Sequence, residues 1–352
     1  MGPFVRVLAP TPDGLGTAVE WLEASQPVGM PTETVYGLAA PFDDVRAVAA
    51  VYEAKRRPHF DPLIVHLSDS SGLWTIADNS GFSEAEQAAI RDLLGTCWPG
   101  PLTLVLPKRP VVPDLVTSGH PTVAVRCPDH PVARALIEAL GRPVVAPSAN
   151  VFGRVSPTKA SHVVDELGHC VVGVLDGGPC SVGVESTIVR LRPGRRPVLL
   201  RPGGMPLENL VATLGPIDAS GAGDPVVAPG QLAHHYAPAT PMVCWSEALD
   251  ALPDSVLSQR LGGRSEPVAL VVFADLDGAH KRRVAAQAGP HVQVTALSQD
   301  GSWVSVAQRL FATLRALDAS ECAQIIVEGL PRDHGLAPAV HDRITRASRG
   351  RV

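Results

Sequence analysis

Several patterns that would announce a chemistry are missing from this chain of 352 residues. Its six cysteines never stand at C-x-x-C spacing, so neither a zinc site nor a dithiol redox motif is suggested. Reduced, mostly buried thiols are expected instead. No apolar run reaches the roughly 18 residues that span a bilayer, and no basic-then-apolar segment opens the chain. The expectation is a cytoplasmic protein with no membrane association. There is no G-x-x-x-x-G-K-S/T loop, no G-x-G-x-x-G fingerprint and no G-x-S-x-G elbow. His-x-x-x-His and paired-carboxylate signatures are absent as well. A formal net charge of −5 excludes wholesale coating of nucleic acid, which takes an excess of Lys and Arg. A local basic groove is still allowed.

What is present is a globular composition, 45% apolar and 18% charged, long enough for two domains. Thirty-two glycines and 34 prolines predict many turns and fairly short helices. Strand-like runs at 28–31, 63–67, 102–106, 122–126, 144–145, 171–175, 186–191 and 198–201 interleave with helical patterns at 14–23, 45–55, 83–94 and 131–140. Asp13, Asp43 or Asp44, and Ser83 are the expected caps. This alternation indicates an α/β domain with a twisted mixed sheet over residues 1–214. Residues 215–230 are rich in Gly, Pro, Ala and Asp and read as linker rather than core, so 215–241 is assigned as a connecting segment. Beyond it, strands at 268–273 and 324–328 flank an amphipathic helix at 303–317. That order predicts a small Rossmann-like, doubly wound C-terminal domain over 242–352.

The candidate functional residues are hydroxyls, cations and small turns. Lys55, Arg56 and Arg57 stand together before Pro58, at the mouth of a strand that closes on His66. They read as a polyphosphate receptacle, or as a solvated helix end whose cations offset the dipole. Thr32, Glu33 and Thr34 follow a strand-ending proline. The hydroxyls on this turn can hold a carboxylate, hydroxyl or phosphate, or the threonines simply cap a helix. Ser148 and Asn150 bracket Ala149 after a strand, where α/β sheets place ligands. Ser156-Pro157-Thr158 follows, and ordinary turns and caps are the alternative reading of these residues; Glu185-Ser186-Thr187 precedes another strand, after Gly183. Arg126 and Arg201 end apolar strands, where a guanidinium suits a carboxylate or phosphate, or a surface ion pair. With no nucleophile–base pair among them, such residues suit catalysis by positioning and charge neutralisation of phosphates.

In order, the chain carries Pro31-Thr32-Glu33-Thr34-Val35-Tyr36-Gly37-Leu38, Lys55-x-Arg57-Pro58 with Pro62-Leu63-Ile64-Val65-His66, and Trp98-Pro99-Gly100-Pro101-Leu102-Thr103. Val125-Arg126-x-Pro128, Ala146-Pro147-Ser148-Ala149-Asn150, Ser156-Pro157-Thr158, Ser186-Thr187-Ile188-Val189 and Leu200-Arg201-Pro202-Gly203 follow. This succession resembles the threonylcarbamoyl-adenylate synthase family, built on the YrdC-like fold. Pro229-Gly230 with His234-His235-Tyr236-Ala237-Pro238 resembles its long form, which adds a linker and a C-terminal domain.

The resemblance implies an enzyme that makes threonylcarbamoyl-adenylate and pyrophosphate from L-threonine, bicarbonate and ATP, with Mg2+ on the ATP phosphates. The product would serve the machinery that sets threonylcarbamoyl on adenosine in tRNA. A weak contact of the concave basic face with RNA is a further expectation. Carried over by position, Lys55 and Arg57 meet the phosphates as the catalytic pair. Asp61, Thr122, Ser148, Asn150, Ser156, Arg201 and Tyr236 line the nucleotide. Thr34, His66, Arg126, Ala146 and Ser186 bind threonine, and the linker acts as a lid. The chain departs from the family pattern in three places: Arg56 where glycine is frequent, Asp61 where asparagine is common, and Gln231-Leu232-Ala233 for Met-Lys-Tyr. Arg56 is expected to add bulk and charge beside the phosphates, and Asp61 to be unfavourable there unless it faces a cation.

Overall fold

Strands buried on both faces read as continuous apolar runs, and the central strands of this chain do so. The computed structural model describes residues 5–221, 227–230, 235–275, 277–331 and 334–349. The chain packs as two units, Met1–Phe152 with Ser156–Leu232, and Gly153–Val155 with Ala233–Val352.

In the first unit the strands are β1 (Arg6–Leu8), β2 (Val28–Met30), β3 (Gly37–Pro41), β4 (Ile64–His66), β5 (Leu102–Pro107), β6 (Thr122–Arg126), β7 (Val144–Val145), β8 (Gly173–Leu175), β9 (Thr187–Arg190), β10 (Val198–Arg201) and β11 (Asp218–Ala219). They form one mixed sheet in the order β1-β8-β2-β3-β7-β4-β6-β5-β9-β10-β11. Strand β4 runs parallel to β6, while β6 runs antiparallel to β5. The two-residue period of a strand divides its side chains between two cores. Leu38 and Ala40 of β3, with Val145 of β7, join the core under helices Val45–Lys55 and Glu84–Cys97. Ala39 and Val144 join the opposite one, under Pro12–Glu23 and Pro131–Leu140.

Local signals set the helix starts. Asp44 accepts from the amides of Arg46 and Ala47, and Ser83 forms a reciprocal capping box with Glu86. Asp13, the expected cap of the first helix, lies inside it; Thr11 accepts from Gly14 N instead, because Pro12 already fits the first helical position. The reading of 215–230 as linker without a core role also needs correction. Asp218–Ala219 extends the sheet in parallel with β10, and Val227 and Ala228 are buried with Ile64, Val105, Ala124 and Ile188. An unpaired strand edge and an apolar sheet face both gain by being covered, and small residues suffice for that. The Gln231-Leu232-Ala233 departure lies outside the described residues.

The second unit has β12 (Met242–Cys244), β13 (Val268–Ala274), β14 (Val292–Ser298) and β15 (Gln324–Val327), all parallel, in the order β12-β15-β13-β14. Helices Asp254–Leu261, Ala279–Ala288, Trp303–Asp318 and Ala337–Ser348 alternate with them. Strand β14 escaped the apolar-run reading because it is an edge strand interspersed with Gln293 and Thr295. Among the described residues no helix is long and apolar enough to cross a membrane.

Candidate active site

The basic cluster is split by backbone geometry. Helix Val45–Lys55 ends at Arg56, whose φ of 50° is left-handed, so the chain turns sharply between two buried cations. Arg56 itself is exposed. The expectation that it crowds the phosphate site is therefore corrected: it occupies a left-handed cap, where glycine costs least and a side chain points to solvent. Lys55 is fully buried, and its ammonium donates to the carbonyls of Asn150, at 2.6 Å, and Ser148. Arg57 donates to the carbonyls of Asp61 at 3.0 Å and Pro62 at 2.9 Å. Its Nη2 also lies 2.8 Å from the Asp61 carboxylate, an ion contact without hydrogen-bond alignment, since neither Asp61 oxygen receives an aligned donor.

Asp61 thus does face a cation, which answers the objection to a carboxylate at this position. Burial still pushes its pKa up, against the opposing pull of Arg57 and Lys55. Burial, reinforced by the neighbouring Arg57, pushes Lys55 down to about 7.

The other end of the site is built on the turn between β2 and β3. The Thr32 hydroxyl donates to Val35 O at 2.5 Å and accepts from the amides of Thr34 and Val35 at 3.2 Å each, an ST-turn that fixes Thr34. Arg126 then gathers the turn. Its Nη1 donates to Thr34 Oγ1 at 2.8 Å, its Nη2 pairs with the Glu33 carboxylate, and its Nε donates to Gly100 O at 3.3 Å. That uses three of the five N–H groups of a guanidinium and leaves one on each terminal nitrogen.

Strand pairing sets His66 and Thr103 in register with Arg126, on either side of it. His66 Nδ1 donates to Ile64 O at 3.0 Å, which leaves Nε2 as the acceptor of the neutral ring. Burial, with Arg126 nearby, pushes its pKa down to about 3. Thr103 and Ser186 hydroxyls meet at 2.7 Å, and Arg201 Nη2 donates to Ser186 O at 3.0 Å.

Three polar turns are tied into one floor. Tyr36 N donates to Pro157 O and Ala149 N to Tyr36 O, each at 2.8 Å, and Ala146 N to Ile64 O at 3.2 Å. Ser156 Oγ donates to Glu185 at 2.5 Å. A Cβ on Gly37 would lie 2.9 Å from that of Ala146, which explains glycine there.

Thr34, His66, Arg126, Ala146 and Ser186 therefore share one region, and Lys55, Ser148 and Asn150 are joined directly. Thr122 lies at the far end of β6, four residues from Arg126, about 13 Å away at strand rise. Asp61 precedes β4 at the same far end. Tyr236 belongs to the second unit, where its ring stacks on Phe311 at 5.5 Å and lies 5.2 Å from the Arg343 guanidinium. Thr103 was not singled out by sequence reasoning, since it stands in an apolar strand with no local signal. Glu33 and Glu185 were seen only as turn residues; their partners lie far along the chain.

A twisted mixed sheet whose strand ends carry cations and hydroxyl turns is the architecture of the YrdC-like class. The Sua5, YciO and YrdC family model, described as Telomere recombination, matches residues 20–203. The model for the C-terminal domain of threonylcarbamoyl-AMP synthase matches residues 205–349. The chain belongs to the threonylcarbamoyl-AMP synthase family, in its two-domain form. It is 38% identical over 343 residues to the threonylcarbamoyl-AMP synthase of Bacillus subtilis (strain 168), covering 96% of this chain and 94% of that protein. Against the Pyrococcus abyssi (strain GE5 / Orsay) protein of that name it is 37% identical over 340 residues, covering 95% and 94%. The crystal structure of P. abyssi Sua5 complexed with L-threonine superposes with a TM-score of 0.85 at 34% identity, covering 98% of both chains.

Proposed function

We propose that this chain condenses L-threonine, bicarbonate and ATP to threonylcarbamoyl-adenylate, pyrophosphate and water, in the cytoplasm, for a transferase that modifies tRNA. The relatives named above support the reaction. The observation that carries it is the polarity of the β4–β6 pair. Arg57 and Asp61 precede one end, while His66 and Arg126 stand in register at the other. A threonine carboxylate would take the two remaining N–H groups of Arg126, and its hydroxyl would donate to His66 Nε2 or meet Thr34 and Ser186.

The threonine amine and bicarbonate give a carbamate and water. A carbamate oxygen then attacks the α-phosphorus, and the bond to pyrophosphate breaks. Such an in-line displacement needs alignment and charge neutralisation rather than a protein nucleophile. Lys55 and Arg57 would supply the charge; a polyphosphate beside Lys55 favours its ammonium and raises the pKa that burial has lowered. Among the described residues no group of three His, Cys, Asp or Glu side chains could hold a metal ion. Mg2+ would arrive on the ATP phosphates, neutralising charge there, and the buried Asp61 carboxylate, an oxygen ligand, would suit it or its waters.

Pyrophosphate release measured with each substrate withheld in turn tests the reading. Release should require threonine and bicarbonate together. Equal release without threonine would sink it.

A further inference from the structure

The Glu33–Arg126 pair has more capacity than a structural ion pair uses. Glu33 is 4% exposed, yet only Oε1 is occupied, on Arg126 Nη2; the buried Oε2 has no hydrogen-bond partner among the described residues. An unsatisfied buried carboxylate oxygen is costly, and in a native fold it calls for an occupant. Arg126 is likewise unfinished, with one N–H on each terminal nitrogen still to give. His66, in register with Arg126, is kept neutral near pH 7 by burial and by Arg126 itself. Glu33 and Arg126 are thus a buried anion and a buried cation in contact, each with one side unspent.

We propose that Glu33 is the acceptor for the α-ammonium of the amino-acid substrate, so that the Glu33–Arg126 pair reads a zwitterion as a unit. This rests on the functional reading above, and deepens it by naming what recognises the amine. A single carbon joins carboxylate and ammonium in an α-amino acid. A carboxylate seated on the free N–H groups of Arg126 therefore brings its ammonium beside the carboxylate that Arg126 already holds. Zwitterion against ion pair leaves no net charge in the pocket, which a buried site requires. An amine-free hydroxy acid would leave Glu33 Oε2 orphaned and is rejected for that reason; a buried polar group left unpaired discriminates strongly.

The test is calorimetric binding of L-threonine and of 3-hydroxybutyrate, which keeps the carboxylate and hydroxyl but lacks the amine. It uses the full chain and the variants Glu33→Gln and Glu33→Asp. Glu33→Gln preserves size and an oxygen for Arg126; Glu33→Asp preserves charge and withdraws the second oxygen by one methylene. Threonine affinity is expected to fall at least tenfold in both variants, while 3-hydroxybutyrate affinity does not fall in either and rises in Glu33→Gln, where the orphaned anion is gone. If both ligands weaken equally, Glu33 merely holds Arg126 in place and the proposal is overturned. Unchanged threonine affinity in either folded variant overturns it too. A parent chain that binds no threonine overturns the functional reading itself, and this proposal with it.

Discussion

The carboxylate of Asp61 and the guanidinium of Arg57 lie 2.8 Å apart, four residues distant in sequence and both buried. A buried pair is worth little against apolar packing, but removing one member strands the other charge. Arg57→Ala should therefore abolish adenylate formation and also destabilise the fold by about 3–5 kcal/mol. The double variant Arg57→Ala/Asp61→Asn should regain most of the stability and none of the activity. Urea unfolding of both variants, with pyrophosphate release in parallel, checks this; equal stability loss in the two would refute the coupling.

Lys55 gives the chain a pH signature. Its folded pKa of about 7 lies below the ordinary 10.5, so between these values the unfolded chain binds the extra proton. The Lys55 contribution to stability should then rise with pH from about 7 to 10.5 and be smallest on the acid side. Lys55→Met should flatten this rise and weaken ATP binding at least tenfold. Melting temperatures at pH 7 and pH 9.5 compare the two slopes. A variant whose slope matches the parent would show that Lys55 is ordinarily charged.

His66 acts in the opposite pH range. With its pKa pushed to about 3 from 6.5, folding keeps it neutral where the unfolded chain protonates. Stability should fall as pH drops from 6.5 toward 3, and His66→Gln should lose part of that acid sensitivity. Threonine affinity should show no histidine-like titration between pH 6 and 8. A midpoint near 6.5 in that affinity would contradict a neutral His66.

Gly203 is held by close packing. A Cβ there would lie 2.3 Å from Ser186 C and 2.4 Å from the Glu185 carbonyl oxygen, both backbone atoms that cannot swing aside. Gly203→Ala should displace the start of β9, costing about 1–3 kcal/mol as overpacking does. It should weaken threonine binding through Ser186 more than it lowers the melting temperature. A melting change with unaltered threonine affinity would count against that link.

The basic cluster shows how far sequence reaches. That Lys55 and Arg57 stand at the mouth of the strand closing on His66 was legible because helix, turn and strand follow one another within twelve residues. The exposure of Arg56 was not, since it depends on a left-handed cap that only glycine would have announced. The burial of Val227 and Ala228 was equally hidden, because a Gly- and Pro-rich segment looks the same whether it floats or covers a sheet face.

Sequence by itself determined the inventory and its order: buried strands from continuous apolar runs, a helix cap at Ser83 and another at Asp43 or Asp44, and hydroxyls and cations at strand ends. These are local preferences, set by neighbours a few residues away. Tertiary structure alone decided who holds whom. Glu33 and Arg126 are 93 residues apart, and Thr103 and Ser186 are 83 apart. Those partnerships follow from strand order and register in one mixed sheet, which no local pattern encodes.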